Sequence, residues 1–173
     1  MISVIRLCVA PGPTRRGWLL AGQARFRCVI GRSGVVRAKR EGDGGTPAAS
    51  MPLRRLWWRA DRGPRPHTAL PARVIRAEDG WCDAPPDRNY NRPVRLPYPV
   101  SHETLFRCDA LYDLVVELGW NDGPRRKGAG SAIFLHQARR DWTPTEGCIA
   151  LQPRDLRKLL TMIGPRTRIV TTL

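Results

Sequence analysis

Short apolar runs separated by turn-forming clusters dominate the chain, and their spacing is mostly that of β-strands. Residues 2–9 read as an opening strand that stops at Pro11-Gly12-Pro13. Residues 18–21 and 25–30 form two further strands around Gly22-Gln23, and 31–34 turns into a short strand at 35–37. Together these make an antiparallel meander. Residues 53–60, with Trp57-Trp58, and 73–76 are the next strands. The clearest alternation lies at 111–120, where Tyr112, Leu114, Val116 and Leu118 fall on one face and Asp113, Val115 and Glu117 on the other. Two apolar runs follow at 131–136 and 149–151, and 166–173 closes the chain as a strand.

One segment has a helical period. Pro153 suits the first helical position, and Asp155 complements the helix dipole. Leu156, Leu159, Leu160 and Ile163 form a buried stripe, and Gly164-Pro165 ends it, which predicts an amphipathic helix near 153–163. The fold class expected is mostly β with a minor α component, a sandwich or mixed sheet with one C-terminal helix. No internal repeat or second domain is evident, so residues 1–173 are expected to be one domain.

Two stretches break the pattern. Residues 38–52 contain Lys39-Arg40-Glu41-Gly42-Asp43-Gly44-Gly45-Thr46-Pro47, too polar and glycine-rich for an element. Loops of this length inside domains are often functional. Residues 80–103 hold Pro85, Pro86, Pro93, Pro97 and Pro99, which exclude a regular helix or a central strand. An irregular surface excursion forming a binding wall is expected there.

Composition narrows the function classes. A chain of 173 residues, 42% of them hydrophobic, can bury a core. The net charge of +15 suits a polyanionic or carboxylate-rich partner. The basic residues are scattered, which argues against a nucleic-acid-binding module, the alternative from another class. That alternative rests on the Arg54–Arg55 and Trp57–Arg59 stretch, whose tryptophans fall in a strand and are expected in the core. Five cysteines with no CxxC spacing cannot all pair within the chain and do not suggest zinc, so no metal or cofactor is expected. No signal-peptide core and no membrane-spanning segment is visible.

The chemistry concentrates in residues 131–151, SAIFLHQARRDWTPTEGCIAL. Cys148 follows Gly147 and enters one apolar run, while His136 ends another. A cysteine nucleophile needs a base within reach and N–H groups aimed at the developing oxyanion. His136 is the candidate base, and the N–H groups of Gly147 and Cys148 are the candidate oxyanion donors, each worth roughly 3–4 kcal/mol in such a role. His67 and His102 lie in proline-rich loops.

The run IFLH…TPTEGCIAL, followed by the amphipathic helix, resembles the active-site signature of L,D-transpeptidases of the YkuD type. Residues 42–47 are similar to that family's T-P loop, and the likeness spans roughly residues 30–173. The resemblance implies a YkuD-like catalytic domain whose cysteine attacks an L–D bond of a peptidoglycan stem peptide. The acyl-enzyme then passes to an acceptor amine, normally of diaminopimelate; water instead would give carboxypeptidase or endopeptidase activity. Carried over, Cys148 is the nucleophile, His136 the base, Gly147 the oxyanion turn, and Thr145 takes the place of the motif's serine.

Three positions depart from the pattern: Glu146 where the motif has histidine, Ala150 where arginine is common, and Ala48-Ala49-Ser50 after the T-P pair. They resemble a proteobacterial branch that joins L-Ala of one stem to diaminopimelate of another, and this product is expected over the diaminopimelate–diaminopimelate link. Arginine pairs bidentately with carboxylates, so Arg92, Arg139 and Arg140, with Tyr90, Thr145 and Glu146, are the candidate substrate-binding residues. The partners expected are donor and acceptor stem peptides, with no nucleic acid. A monomer in the periplasm is expected, the compartment following from the substrate.

Overall fold

The structure, a computed structural model, describes residues 1–13 and 15–173. β1 (Val4–Val9), β2 (Arg16–Ala21) and β3 (Ala24–Val29) form the antiparallel meander, without the fourth strand expected at 35–37, which pairs elsewhere. Their alternation sends Ile5, Leu7, Leu19, Phe26 and Cys28 inward. β4 (Val35–Val36) and β5 (Thr46–Pro47) make a small parallel pair, and β6 (Ser50–Trp58) is the longest strand. β7 (Ala72–Val74) runs parallel to the end of β6. β8 (Asp79–Cys82), β9 (Arg92–Arg95) and β10 (His102–Thr104) form a separate antiparallel sheet in the order β10-β8-β9. A 3-10 turn at Ala110–Tyr112 leads into β11 (Leu114–Leu118). Then come β12 (Phe134–Gln137), β13 (Ile149–Leu151), α1 (Pro153–Leu160) and β14 (Arg168–Thr171).

The main sheet runs β11-β12-β13-β3-β2-β1-β14-β6-β7, and β6 also pairs with β11, so the sheet closes on itself. β6 makes this possible by changing partners along its length. Its first residues pair with β14, while Leu53 to Trp58 pair with β11 across a register shift between Val116 and Leu118. The mixed, mostly β class is therefore as expected.

Two apolar layers flank the sheet segment β11-β12-β13. On one side Leu114, Val116, Leu135, Ile149 and Leu151 pack with Leu156, Leu159, Leu160 and Ile163 from the α1 region. On the other, Trp57, Trp81, Leu105, Tyr112, Val115, Phe134 and Cys148 form a smaller cluster. The chain pairs β12 and β13 in parallel, and side chains alternate across the strands. Hence Phe134, His136, Cys148 and Ala150 share the face away from α1.

Several expected boundaries shift. The opening strand begins at Val4, the Trp57-Trp58 strand at Ser50, the strand expected at 73–76 spans Ala72–Val74, and the terminal strand is Arg168–Thr171. Tyr112 leaves the face predicted for it: Asp109 caps the 3-10 turn by accepting from the Leu111 N–H at 3.2 Å, and the turn swings Tyr112 into the second cluster. The run at 131–136 is strand only from Phe134, because Ala132 has φ of 51°, and His136 lies inside β12. The 80–103 segment is not irregular throughout. It folds as a small sheet, with proline-free β8 central and Pro93 on the edge strand β9, where its missing N–H costs no ladder bond. α1 stops at Leu160 because the last turn tightens: Thr161 and Met162 bond back three residues, to Lys158 and Leu159. Ile163 is nonetheless fully buried.

Leu160→Ala should therefore destabilise the fold by about 2–5 kcal/mol, as large-to-small core changes do. Urea unfolding should display this as a lower midpoint with unchanged slope.

Candidate functional site

Cys148 and His136 open into one cleft of about 630 Å³, whose lining also includes Thr145, Glu146, Arg139 and Ala150. The cysteine turn is built by packing from the loop that precedes β6. Buried Thr46 accepts the Gly31 N–H and donates to the Gly147 carbonyl, each at 2.9 Å. Gly147 sits at φ of 130°, and a Cβ there would lie 2.8 Å from the Gly45 carbonyl oxygen. Only glycine fits at both counts. The loop itself is ordered by Asp43, which accepts from the Lys39 ammonium and from the N–H groups of Arg40 and Gly45. Burial pushes the Asp43 carboxyl up, but these donors outweigh it and hold it below the usual range.

The Cys148 sulfur is enclosed, with 8% of the residue exposed. Its S–H donates to the Ala132 carbonyl at 3.2 Å, and the Phe134 N–H donates to Sγ at 3.3 Å. Burial pushes its pKa up to about 12, partly offset by the Phe134 donor. His136 is equally enclosed, and burial lowers its pKa to about 4. Its Nδ1 lies 2.8 Å from the Gln137 carbonyl oxygen. A carbonyl only accepts, so the proton belongs on Nδ1 and Nε2 is left as the acceptor. The resting pair is thus a neutral thiol and a neutral imidazole.

Thr145 closes the turn: its hydroxyl donates to the Cys148 carbonyl at 2.6 Å and accepts from the Gly147 N–H at 3.2 Å. Of the two expected oxyanion donors, Gly147's N–H is therefore already bonded to a side chain. Glu146 faces out and pairs with Arg32 through both oxygens, at 3.0 and 2.8 Å. With both side chains more than half exposed, the pair contributes at most about 1 kcal/mol.

The structure brings Cys148, His136, Thr145, Glu146 and Arg139 to one cleft, with Gly147 beneath them. Arg92 and Arg140 are exposed and do not line it. Tyr90 is buried behind the wall and donates its hydroxyl to Glu41, whose carboxylate also accepts from Ser131 at 2.8 Å.

Sequence reasoning did not single out Glu103, Arg107 and Tyr112 as site residues, yet all three also line the cleft. The Tyr112 ring meets the His136 ring edge-on at 5.3 Å, and its hydroxyl donates to Glu103 at 3.2 Å. Burial raises the Glu103 carboxyl above its ordinary range. Arg107 lies 5.1 Å over the Tyr112 ring and is bonded bidentately to Asp109 at 2.8 and 2.7 Å. The Asp109 capping pattern was the one local signal for this corner.

A family model, the YkuD L,D-transpeptidase catalytic domain, matches residues 11–171. The chain belongs to this family of cysteine-dependent L,D-transpeptidases that act on peptidoglycan. No curated protein and no solved structure matches it.

Two outcomes follow from the geometry. Thr46→Val leaves the Gly31 N–H and the Gly147 carbonyl without their partner and should cost about 1–3 kcal/mol, whereas Thr46→Ser should retain most of the stability; thermal unfolding of the two variants checks this. The second concerns pH. The unfolded chain protonates His136 below about 6.5, the folded protein only below about 4. Its contribution is full above the higher value and drains away as pH falls to the lower, by up to about 3 kcal/mol. His136→Gln should flatten that part of the stability profile in urea titrations at stepped pH.

Proposed function

We propose that the chain is a peptidoglycan L,D-transpeptidase with Cys148 as nucleophile and His136 as general base. The observation that supports this most is that the enclosed thiol and an imidazole with its Nδ1 tethered to a backbone carbonyl lie on one face of adjacent strands and in one cleft. Cys148 Sγ attacks the carbonyl carbon of an L–D peptide bond as its proton passes to His136 Nε2. The Cys148 N–H is the proposed oxyanion donor. Collapse of the tetrahedral intermediate breaks the C–N bond, and the leaving amine takes the proton from Nε2. An acceptor amine then attacks the thioester and gives a proton to Nε2; the C–S bond breaks, and the departing sulfur takes that proton back, restoring the neutral pair.

Arg139 is proposed to receive a stem carboxylate, as its guanidinium lines the cleft without a carboxylate partner among the described residues. The carboxyl groups of Glu41, Asp83 and Glu103 on the cleft wall suit an incoming ammonium, which favours transfer to an amine over hydrolysis. Ala150 pairs with His136 in the β12–β13 register and lines the cleft, so no guanidinium projects from that position. That supports a donor other than the usual tetrapeptide and the L-Ala to diaminopimelate product. The proposed compartment is the periplasm, where crosslinked stems lie, with the chain acting as a monomer. Among the described residues no helix is long and apolar enough to cross a membrane.

Purified protein incubated with defined muropeptides carrying dipeptide-end or tetrapeptide-end donors should yield crosslinked dimers, identified by mass. Cys148→Ser should reduce that yield below about a thousandth while leaving the unfolding transition in place. Shortened monomers in place of dimers would assign hydrolysis, and activity retained by the serine variant would remove Cys148 from the mechanism.

A further inference from the structure

Asn91 lies outside the cysteine–histidine pair, in the connection between β8 and β9, with φ of 55° and 3% exposure. Asparagine tolerates this left-handed conformation better than most residues. Its carboxamide uses its full bonding capacity. Oδ1 accepts from the Trp81 indole N–H at 3.1 Å and from the Ala132 backbone N–H at 3.2 Å. Nδ2 donates to the Trp120 and Asn121 carbonyls at 2.9 and 3.0 Å. One buried side chain thus joins the small sheet, the turn after β11 and the strap that precedes β12.

The strap is where the consequence falls. Ala132 has φ of 51°, a conformation that costs a residue with a Cβ roughly 1–2 kcal/mol and persists only where neighbours over-determine it. Asn91 holds its N–H, and one residue earlier the Ser131 hydroxyl is held by Glu41. The carbonyl of the same Ala132 accepts the Cys148 S–H. Asn91 therefore reaches the sulfur through a single intervening residue.

We propose that Asn91 is a positioning residue for the nucleophile: it keeps Ala132 left-handed, and so fixes the carbonyl against which the Cys148 thiol is aimed. The inference rests on Cys148 being the nucleophile. Without the carboxamide, Ala132 relaxes to negative φ and its carbonyl turns away from Sγ. The thiol then loses its acceptor and gains contact with water, so it ionises and alkylates more readily. Its aim at the peptide bond is lost at the same time, and transfer slows. A side chain needed only for stability would lower kcat in step with the folded fraction, with any faster alkylation coming from unfolded molecules alone.

The test uses the full chain carrying Asn91→Ala. Alkylation of Cys148 by iodoacetamide is followed across pH by mass of the Cys148-containing peptide, since Cys8 and Cys108 are exposed thiols that react as well. Transfer kinetics are measured on the same preparations. The expected result is a kcat lower by at least about tenfold with the donor KM within about twofold, together with faster Cys148 alkylation whose midpoint moves to lower pH. Adding Ala132→Gly to that variant should recover several-fold of the lost kcat, because glycine adopts positive φ without a steric cost. If Asn91→Ala does not fold, Ala132→Val, which disfavours the same conformation while leaving Asn91 intact, should give the same opposite movement of the two rates. Rates that stay unchanged, or a kcat that falls only in step with the folded fraction, overturn the proposal. Wild-type protein that makes no crosslink counts against the proposed activity instead, and the alkylation arm still decides the positioning role.

Discussion

The parallel pairing of β12 with β13 is the constraint from which the site follows. It sets His136 beside Ala150 and Leu135 beside Ile149, and places Phe134 next to the residue preceding β13, Cys148. Because side chains alternate, this register sends the thiol and imidazole to one face and Leu135, Ile149 and Leu151 to the α1 side. A slip of one residue would exchange those sets, burying the imidazole under α1 and exposing leucines to the cleft. The apolar layer beneath α1 therefore specifies the polar face as firmly as it stabilises the fold. The connection between the two strands is long because parallel strands require a crossover.

A strand register alone does not shape the cysteine turn. That depends on the loop that ends in β5, which meets the turn through backbone rather than side-chain bulk. Gly31, Gly45 and Gly147 approach so closely that an added Cβ at Gly31 would fall 2.3 Å from the Gly44 carbonyl oxygen. Thr46 spans the contact with one donor and one acceptor bond. The loop's charged residues serve the same end: Lys39 and Asp43 pair with each other, and Glu41 bonds to Ser131 and Tyr90. A segment too polar and glycine-rich to read as an element is ordered because its polar groups find partners within the protein.

What was legible in the sequence was periodic or chemically singular. Alternation identified the meander and β11, the Leu156–Ile163 stripe identified α1, and Gly147-Cys148 with His136 stood out by residue type. What escaped depends on contacts between distant segments. β8 is buried on both faces and has no alternation to read. Tyr112 continued the β11 alternation in sequence, yet Asp109 turned the backbone beneath it. Tyr90 and Arg92 are both substrate-binding candidates by residue type, but the left-handed Asn91 between them separates a buried phenol from an exposed guanidinium. Asn91's own bonds reach about as far along the chain as Trp120 and Ala132, which no local pattern could reveal.

The electrostatics of the pair bear on how such a site can work. With the thiol near 12 and the imidazole near 4, a preformed thiolate–imidazolium pair is strongly disfavoured in the resting protein. Burial is the first cause of both shifts, and it penalises either charge. On the proposed mechanism, proton transfer would then accompany attack on the carbonyl rather than precede it. The Ala132 carbonyl accepts from the protonated thiol and orients it, while the bond from Nδ1 to the Gln137 carbonyl leaves Nε2 as the acceptor. As the proposed nucleophile, Cys148 is in this way kept a neutral thiol until a correctly seated peptide bond is presented to it, which would suit the proposed periplasmic compartment.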